Sequence, residues 1–116
     1  MFLPTRNESK IDFVEQFKVM LLNRGGRVLG IVEVSTGGVS GTVAYPKLIF
    51  TAALKGNASS IILAHDHLSG ILKPSNADLA LTQKISCAGQ LLEISVNDHL
   101  IITSEGFYSF AEEGLI

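Results

Sequence analysis

Two histidines, His65 and His67, sit one residue apart in the stretch LAHDHLSGILKPSNAD (63–78), and Asp78 follows the second by eleven positions. On a strand, alternate side chains share a face, so both imidazoles can converge on one point while Asp66 turns away. A carboxylate near the start of a following helix would complete a set of two histidines and one carboxylate. Three protein ligands leave one tetrahedral position for water, the mark of catalytic rather than structural zinc. Bound zinc brings the pKa of that water to about 7, so hydroxide is available at neutral pH. The same residues fit a plainer pattern, because Ser75-x-x-Asp78 is a helix-capping spacing and most such matches are only caps. On the residues alone, a zinc site and a strand end followed by a capped helix both stand.

These residues need elements to position them. QFKVMLLN (16–23) and RVLGIVEVST (27–36) are rich in strand formers, and the turn Arg24-Gly25-Gly26 joins them as an antiparallel hairpin. Gly37, Gly38 and Gly41 punctuate a loop with no phosphate-binding pattern. Pro46 suits a first helical position before KLIFTAALKG (47–56), and Gly56-Asn57 stops that helix. SSIILAH (59–65) is a short apolar run, expected as a central strand buried on both faces. After a loop through residue 74, a long helix starts with Ser75 as N-cap, with Leu81, Ile85, Ala88 and Leu92 on one stripe. LLEISV (91–96) and HLIITS (99–104) read as two further strands, Glu105-Gly106 as a turn, and FYSFAEEG as a short closing helix. The order ββαβαββ predicts an α/β (α+β) fold of sheet and helices. Residues 1–10 are expected to be a lead-in and 11–116 a single domain.

The bulk numbers exclude several classes. A chain of 116 residues with 47% hydrophobic and 17% charged content can bury a core and is no disordered tail. Its net charge of −2 does not favour nucleic acid. The single cysteine, Cys87, cannot form an internal disulfide, which fits a reducing compartment. The N-terminal MFLPTRNESK turns polar too soon for a signal peptide, and runs such as IILA are far short of a membrane helix. The expected location is the cytoplasm, without a membrane partner.

The pattern His65-x-His67, Ser75, Asp78 resembles the JAMM motif of the JAB/MPN metallo-hydrolases. The longer string AHDHLSG…KPSNADLALT, followed by NDHLIIT and GFYSFAEEGLI, is similar to the RadC branch of that fold, from about residue 11 to the end. The resemblance implies a JAB/MPN, cytidine-deaminase-like sandwich, a mixed sheet with flanking helices. It also implies one zinc ion per chain on His65, His67 and Asp78, and water attack on an amide or isopeptide carbonyl of a peptide or protein substrate. Eukaryotic relatives of the fold cleave ubiquitin-type isopeptide bonds. RadC proteins often carry an N-terminal helical region, so this chain is expected to be a short variant or a trimmed domain. Where the family usually reads His-Asn-His-Pro, this sequence has His65-Asp66-His67-Leu68. Leu68 removes a rigid residue after the second ligand, and Asp66 brings a carboxylate beside the site.

The family also uses a glutamate from an early strand as general base, a role typically contributing about 10²–10⁴-fold. Glu15, before the first strand, is the first candidate and Glu33, inside IVEVS, the alternative. Their plainer readings are a surface carboxylate at a strand start and a solvent-facing position on an edge strand. Ser75 is expected to cap the helix and, as the resemblance implies, to donate to a substrate oxyanion. His99 reads as a structural histidine or a partner behind the ligands, Cys87 as core, and Lys73 as a solvated loop residue. Two rival functions are carried forward: a DNA-repair-associated protein using Lys18, Arg24 and Arg27 around one hairpin, and a non-catalytic scaffold of the same fold. Oligomeric state has no signature in the sequence.

Overall fold

The computed structural model describes residues 16–38, 41–44, 46–67 and 70–116. Strand β1 (Phe17–Leu22) buries Phe17, Val19 and Leu21 on one face. The turn after it is closed by Asn23, whose Oδ1 accepts from the Arg27 N–H at 2.9 Å and whose carbonyl accepts from the Gly26 N–H at 3.0 Å. Gly26 has φ +83°, a conformation costly to any residue with a Cβ. Strand β2 (Val28–Glu33) then returns antiparallel to β1, as the hairpin pattern predicts.

The stretch 27–36 is not one strand. At Val34 the chain leaves the sheet, with the side chain buried and the N–H donating to the Phe17 carbonyl at 2.9 Å. Ser35–Gly38 (β3) and Gly41–Ala44 (β4) pair only with each other, with Gly38 opposite Gly41. Gly37, Gly38 and Gly41, expected in a loop, therefore lie in a two-stranded ribbon.

Helix α1 (Pro46–Lys55) starts at its proline and buries Ile49, Phe50 and Ala53. It stops at Gly56 and Asn57, the latter at φ 55°. Strand β5 (Ser60–Asp66) buries Ile61, Leu63 and His65, while Ile62, Ala64 and Asp66 are half-buried, so one face rather than both is fully covered. Helix α2 (Asn76–Leu91) crosses over to β6 (Ser95–Thr103), which runs parallel to β5. Strand β7 (Gly106–Ser109) folds back on β6, giving a mixed sheet in the order β2-β1-β5-β6-β7. Phe17, Val19, Leu21, Ile61 and Leu63 of the sheet pack with Ile49, Phe50 and Ala53 of α1, Ile85 of α2, and Ile94.

Three further expectations differ from the fold. LLEISV is not a strand, because α2 runs to Leu91 and a turn carries the chain to Ile94, whose N–H donates to the Gly89 carbonyl at 2.8 Å. Gly89 permits this approach, since a Cβ there would collide with the Ile94 carbonyl oxygen. The polar Asn97-Asp98 pair does not separate two strands; the β5–β6 register skips Asn97, a bulge within one continuous strand. FYSFAEEG is not a helix, because Asp98 anchors it in another shape. Its carboxylate accepts from Ser109 Oγ at 2.6 Å and from the Ala111 N–H at 3.0 Å.

Candidate metal centre

His65 and His67 stand at and just past the end of β5, in the middle of the sheet. The Asp66 N–H donates to the Gln16 carbonyl (3.1 Å) and the His67 N–H to the Ile102 carbonyl (2.9 Å), so the extended spacing persists through His67. Asp78 reaches the same point from the first turn of α2. Ser75 is the N-cap of a reciprocal capping box: its Oγ accepts from the Asp78 N–H at 3.1 Å, and Asp78 Oδ2 accepts from the Ser75 N–H at 2.8 Å. The cap and the metal set are thus one structure, because the box holds the carboxylate that faces the histidines. Ser75→Ala removes one of the two bonds and should cost about 0.5–2 kcal/mol in denaturant unfolding of the metal-free protein; an unchanged midpoint would show that the cap carries no stability.

One ligand atom each from His65, His67 and Asp78 lies within 4.8 Å of the others, the only such group of three among the described residues. His65 Nδ1 is 3.5 Å from Asp78 Oδ1, and His67 Nε2 is 3.2 Å from Asp78 Oδ2. Bonds of about 2.0–2.1 Å in a tetrahedron put neighbouring donors about 3.4 Å apart, so both spacings suit a zinc-sized ion. His67 Nδ1 lies 2.8 Å from the Ile71 carbonyl. A carbonyl can only accept, so Nδ1 carries the proton and Nε2 keeps its lone pair for a cation. Burial by itself would raise the Asp78 pKa. Its contacts with His65 and its hydrogen bonds from the Ser75 backbone and hydroxyl outweigh that and hold the carboxyl well below the usual range. Asp78 is therefore anionic at any ordinary pH, as a metal ligand would need.

Behind the ligands lies a buried layer. Thr82, one turn after Asp78, gives its hydroxyl proton to the Asp78 carbonyl at 2.8 Å and meets His99 Nδ1 at 2.6 Å. His99 is fully buried, stacked on Phe110 at 4.5 Å with a 17° interplanar angle. Both plainer readings of His99 hold together: it is structural, and it braces the turn that carries Asp78. Thr82 has a local signal, its i+4 spacing from Asp78, but the Ile71 carbonyl has none.

The other candidates lie elsewhere. Glu15 is outside the described residues. Lys18 is the Cα partner of Glu33 on one side and Ala64 on the other, whereas His65 faces Phe17. Cross-strand partners share a face, so Glu33 stands on the sheet face opposite His65 and does not join the cluster. Cys87 is exposed rather than core. Lys18, Arg24, Arg27 and Lys73 are exposed. A cavity of about 300 Å³ next to the centre is lined by Asp66, His67, Gly70, Ile102, Thr103 and Ser104. A second hollow of about 380 Å³, between α2 and Phe110, Leu115 and Ile116, contains none of the ligands.

Comparison with known proteins agrees with this arrangement. The family model for the RadC-like JAB domain matches residues 3–115. The chain is 43% identical over 101 residues to a UPF0758 protein of Flavobacterium johnsoniae, covering 87% of this chain and 44% of that one. It is 47% identical over 103 residues to a UPF0758 protein of Porphyromonas gingivalis, covering 88% and 45%. With UPF0758 protein YfjY of Escherichia coli it shares 40% over 102 residues, covering 88% and 64%. The chain thus spans less than half the length of the first two relatives and under two thirds of the third. With a match along nearly its whole length and the motif's histidines and aspartate brought together in space, the chain belongs to the RadC-like JAB domain family.

Proposed function

We propose that this chain is a zinc-dependent hydrolase that cleaves an amide or isopeptide bond in a cytoplasmic peptide or protein. The observation that carries this reading is the His67 ring. Its Nδ1 is committed to the Ile71 carbonyl, so its Nε2 lone pair points with Asp78 into the group shared with His65. A zinc ion held by His65, His67 and Asp78 would supply the Lewis acidity that activates water for attack on a carbonyl.

The chain's own groups would do the rest. Ser75 Oγ accepts from the Asp78 N–H, and its hydroxyl proton, which the Asp78 carboxylate holds in the free protein, would turn to the oxygen of the attacked carbonyl. Glu15 is proposed to take the proton from the attacking water and deliver it to the leaving amine. It lies two positions before Phe17, the Cα partner of His65, and outside the described residues. The cavity beside His67 would receive one flank of the substrate, with Asp66 on its wall.

The test is hydrolysis of a panel of peptide and lysine isopeptide substrates, followed by mass spectrometry. Cleavage should vanish on chelation and return when zinc is added. A protein that holds zinc stoichiometrically and cleaves nothing in the panel would favour the scaffold reading.

A further inference from the structure

We propose, on the reading of this chain as an amide hydrolase, that the cavity beside His67 is a subsite for the free side chain of a lysine or arginine next to the scissile bond, with Asp66 as its counter-charge. Asp66 ends β5 and is half-buried on the cavity wall. Its N–H is committed to the Gln16 carbonyl, and its carboxylate has neither a hydrogen bond nor an ion pair. Lys18, the Cα partner of Ala64, is its diagonal neighbour across β1 and β5 and makes no ion pair with it. No lysine or arginine is among the described residues that line the cavity. A charge partly withdrawn from water interacts more strongly with an opposite charge than one in bulk solvent. An incoming cation therefore gains a contact at Asp66 that no group of the chain already makes.

The surface around Asp66 says which cation. Its Cα partner on β6 is Ile102, and the partner of Ile102 on β7 is Phe107. Cross-strand partners share a face, so Asp66, Ile102 and Phe107 form a row across the end of the sheet. That face lies opposite the one whose Ile61 and Leu63 pack on α1 and α2. Neighbouring strands are about 4.8 Å apart, a distance that the four-carbon stem of lysine spans. A long basic side chain can lie along Ile102, 38% exposed, with its head on the Asp66 carboxylate. Phe107, 58% exposed, continues the row and offers a ring to a guanidinium. Thr103 and Ser104 add hydroxyl oxygens to the wall, which can accept from the same head. A volume of about 300 Å³ is at the small end of ligand pockets, the size for one side chain. A bare metal ion would make no use of the apolar row, and a glutamate would set two carboxylates together.

The subsite also fixes where that basic residue stands. His67 belongs both to the cavity wall and to the group of three candidate donors, so a side chain seated there adjoins the carbonyl under attack. In an isopeptide the lysine nitrogen at the scissile bond is an amide and carries no charge. Asp66 therefore reads a separate basic residue, one that neighbours the scissile bond rather than forming it. A substrate with a neutral or acidic residue at that place leaves the Asp66 carboxylate unpaired.

Two measurements test the subsite. In the first, the metal-chelated full chain is titrated with acetylated octapeptides of alanine and glycine that carry one Lys, Arg, Met or Glu, and backbone amide NMR shifts are followed. The Lys and Arg peptides should move the Ile102, Thr103 and Ser104 amides and bind roughly tenfold tighter than the Met peptide, the scale of a hydrogen bond to a charged group. Asp66→Asn should abolish the preference, and Asp66→Lys should transfer it to the Glu peptide. In the second, the zinc-loaded chain is offered the same side chains on either side of cleavable amide and isopeptide bonds, and the products are read by mass spectrometry. Cleavage should favour bonds with Lys or Arg alongside, and Asp66→Asn should level the panel by raising KM rather than lowering kcat. Equal binding of the Lys and Met peptides, a Lys preference that survives Asp66→Asn, or shifts confined to other parts of the fold would overturn the proposal. Cleavage without a basic preference would also overturn it, while leaving the hydrolase standing. Cation-selective binding at Asp66 with no cleavage anywhere in the panel would uphold the subsite and count against the hydrolase reading.

Discussion

Glu15→Gln is expected to retain one zinc per chain and to lose about 10²–10⁴-fold in hydrolysis. His67→Ala and Asp78→Asn are expected to lose the zinc and the activity together. Glutamine keeps the shape of Glu15 but cannot accept a proton. His67 and Asp78 would act before any proton moves, because they are two of the three candidate donors. Loss of a mere outer partner of a metal ligand costs about 10–100-fold in affinity, so loss of a donor should exceed that in competition with a chelator. Asp78→Asn has a second consequence: it weakens the side-chain half of the box closed on the Ser75 N–H. Elemental analysis alongside turnover separates the classes. A Glu15→Gln protein that cleaves at the wild-type rate would remove Glu15 as the base. Equal zinc in wild type and His67→Ala would remove the ligand set. Glu33→Gln should keep its activity, because Glu33 stands on the sheet face away from His65.

What could be read from the sequence here was local. The two-residue repeat of His65 and His67, the proline that opens α1, and the Ser75 cap each depend on neighbours within a turn, and each appears in the fold as read. The inward stripe of α2 was harder to read. Hydrophobicity picks Leu81, Ile85, Ala88 and Leu92; Ile85 is buried and Leu81 and Ala88 pack half-buried against the core, but Leu92 is exposed and the other fully buried positions are Asp78, Thr82 and Gly89. The stripe begins with two polar residues because it begins at the His65, His67 and Asp78 group, and it ends with a glycine because the Ile94 carbonyl needs the space. Cys87 is near this stripe in sequence only; two residues after Ile85 it lies about 200° around the helix and is exposed. Asn97-Asp98 resembled a break because their partners are distant in sequence: Ser60 for Asn97, and Ser109 and Ala111 for Asp98. The brace from Thr82 to His99 spans 17 residues and has no local signature at all.

That brace carries the second large effect, a loss of stability between about pH 6.5 and pH 4. Thr82 has one hydroxyl proton and gives it to the Asp78 carbonyl, so it accepts from His99 Nδ1–H. The proton of neutral His99 is thus on Nδ1, and its Nε2 is buried with no hydrogen-bond partner. Charging the ring would place a second N–H in a dry layer between Phe17 and Phe110. Burial is the main reason that the His99 pKa falls from 6.5 to about 4; His65 lowers it further, and Asp78 and Asp98 oppose the shift. In this interval the unfolded chain binds a proton that the folded chain refuses, so stability falls as the pH falls, and the contribution is level outside it. Integrated over the shift, the loss is roughly 3 kcal/mol. Asp78, with its pKa lowered from 3.8, contributes in a separate window: its stabilisation is lost only below about pH 4. His99→Asn keeps a donor for Thr82 and removes the titration. With metal chelated, the variant should be less stable than wild type at pH 7, where it lacks the ring packed on Phe110. The gap should close by about 3 kcal/mol on going to pH 4, as wild type alone pays the proton penalty. Parallel stability curves for the two proteins would show that His99 is not the buried neutral group that braces Asp78.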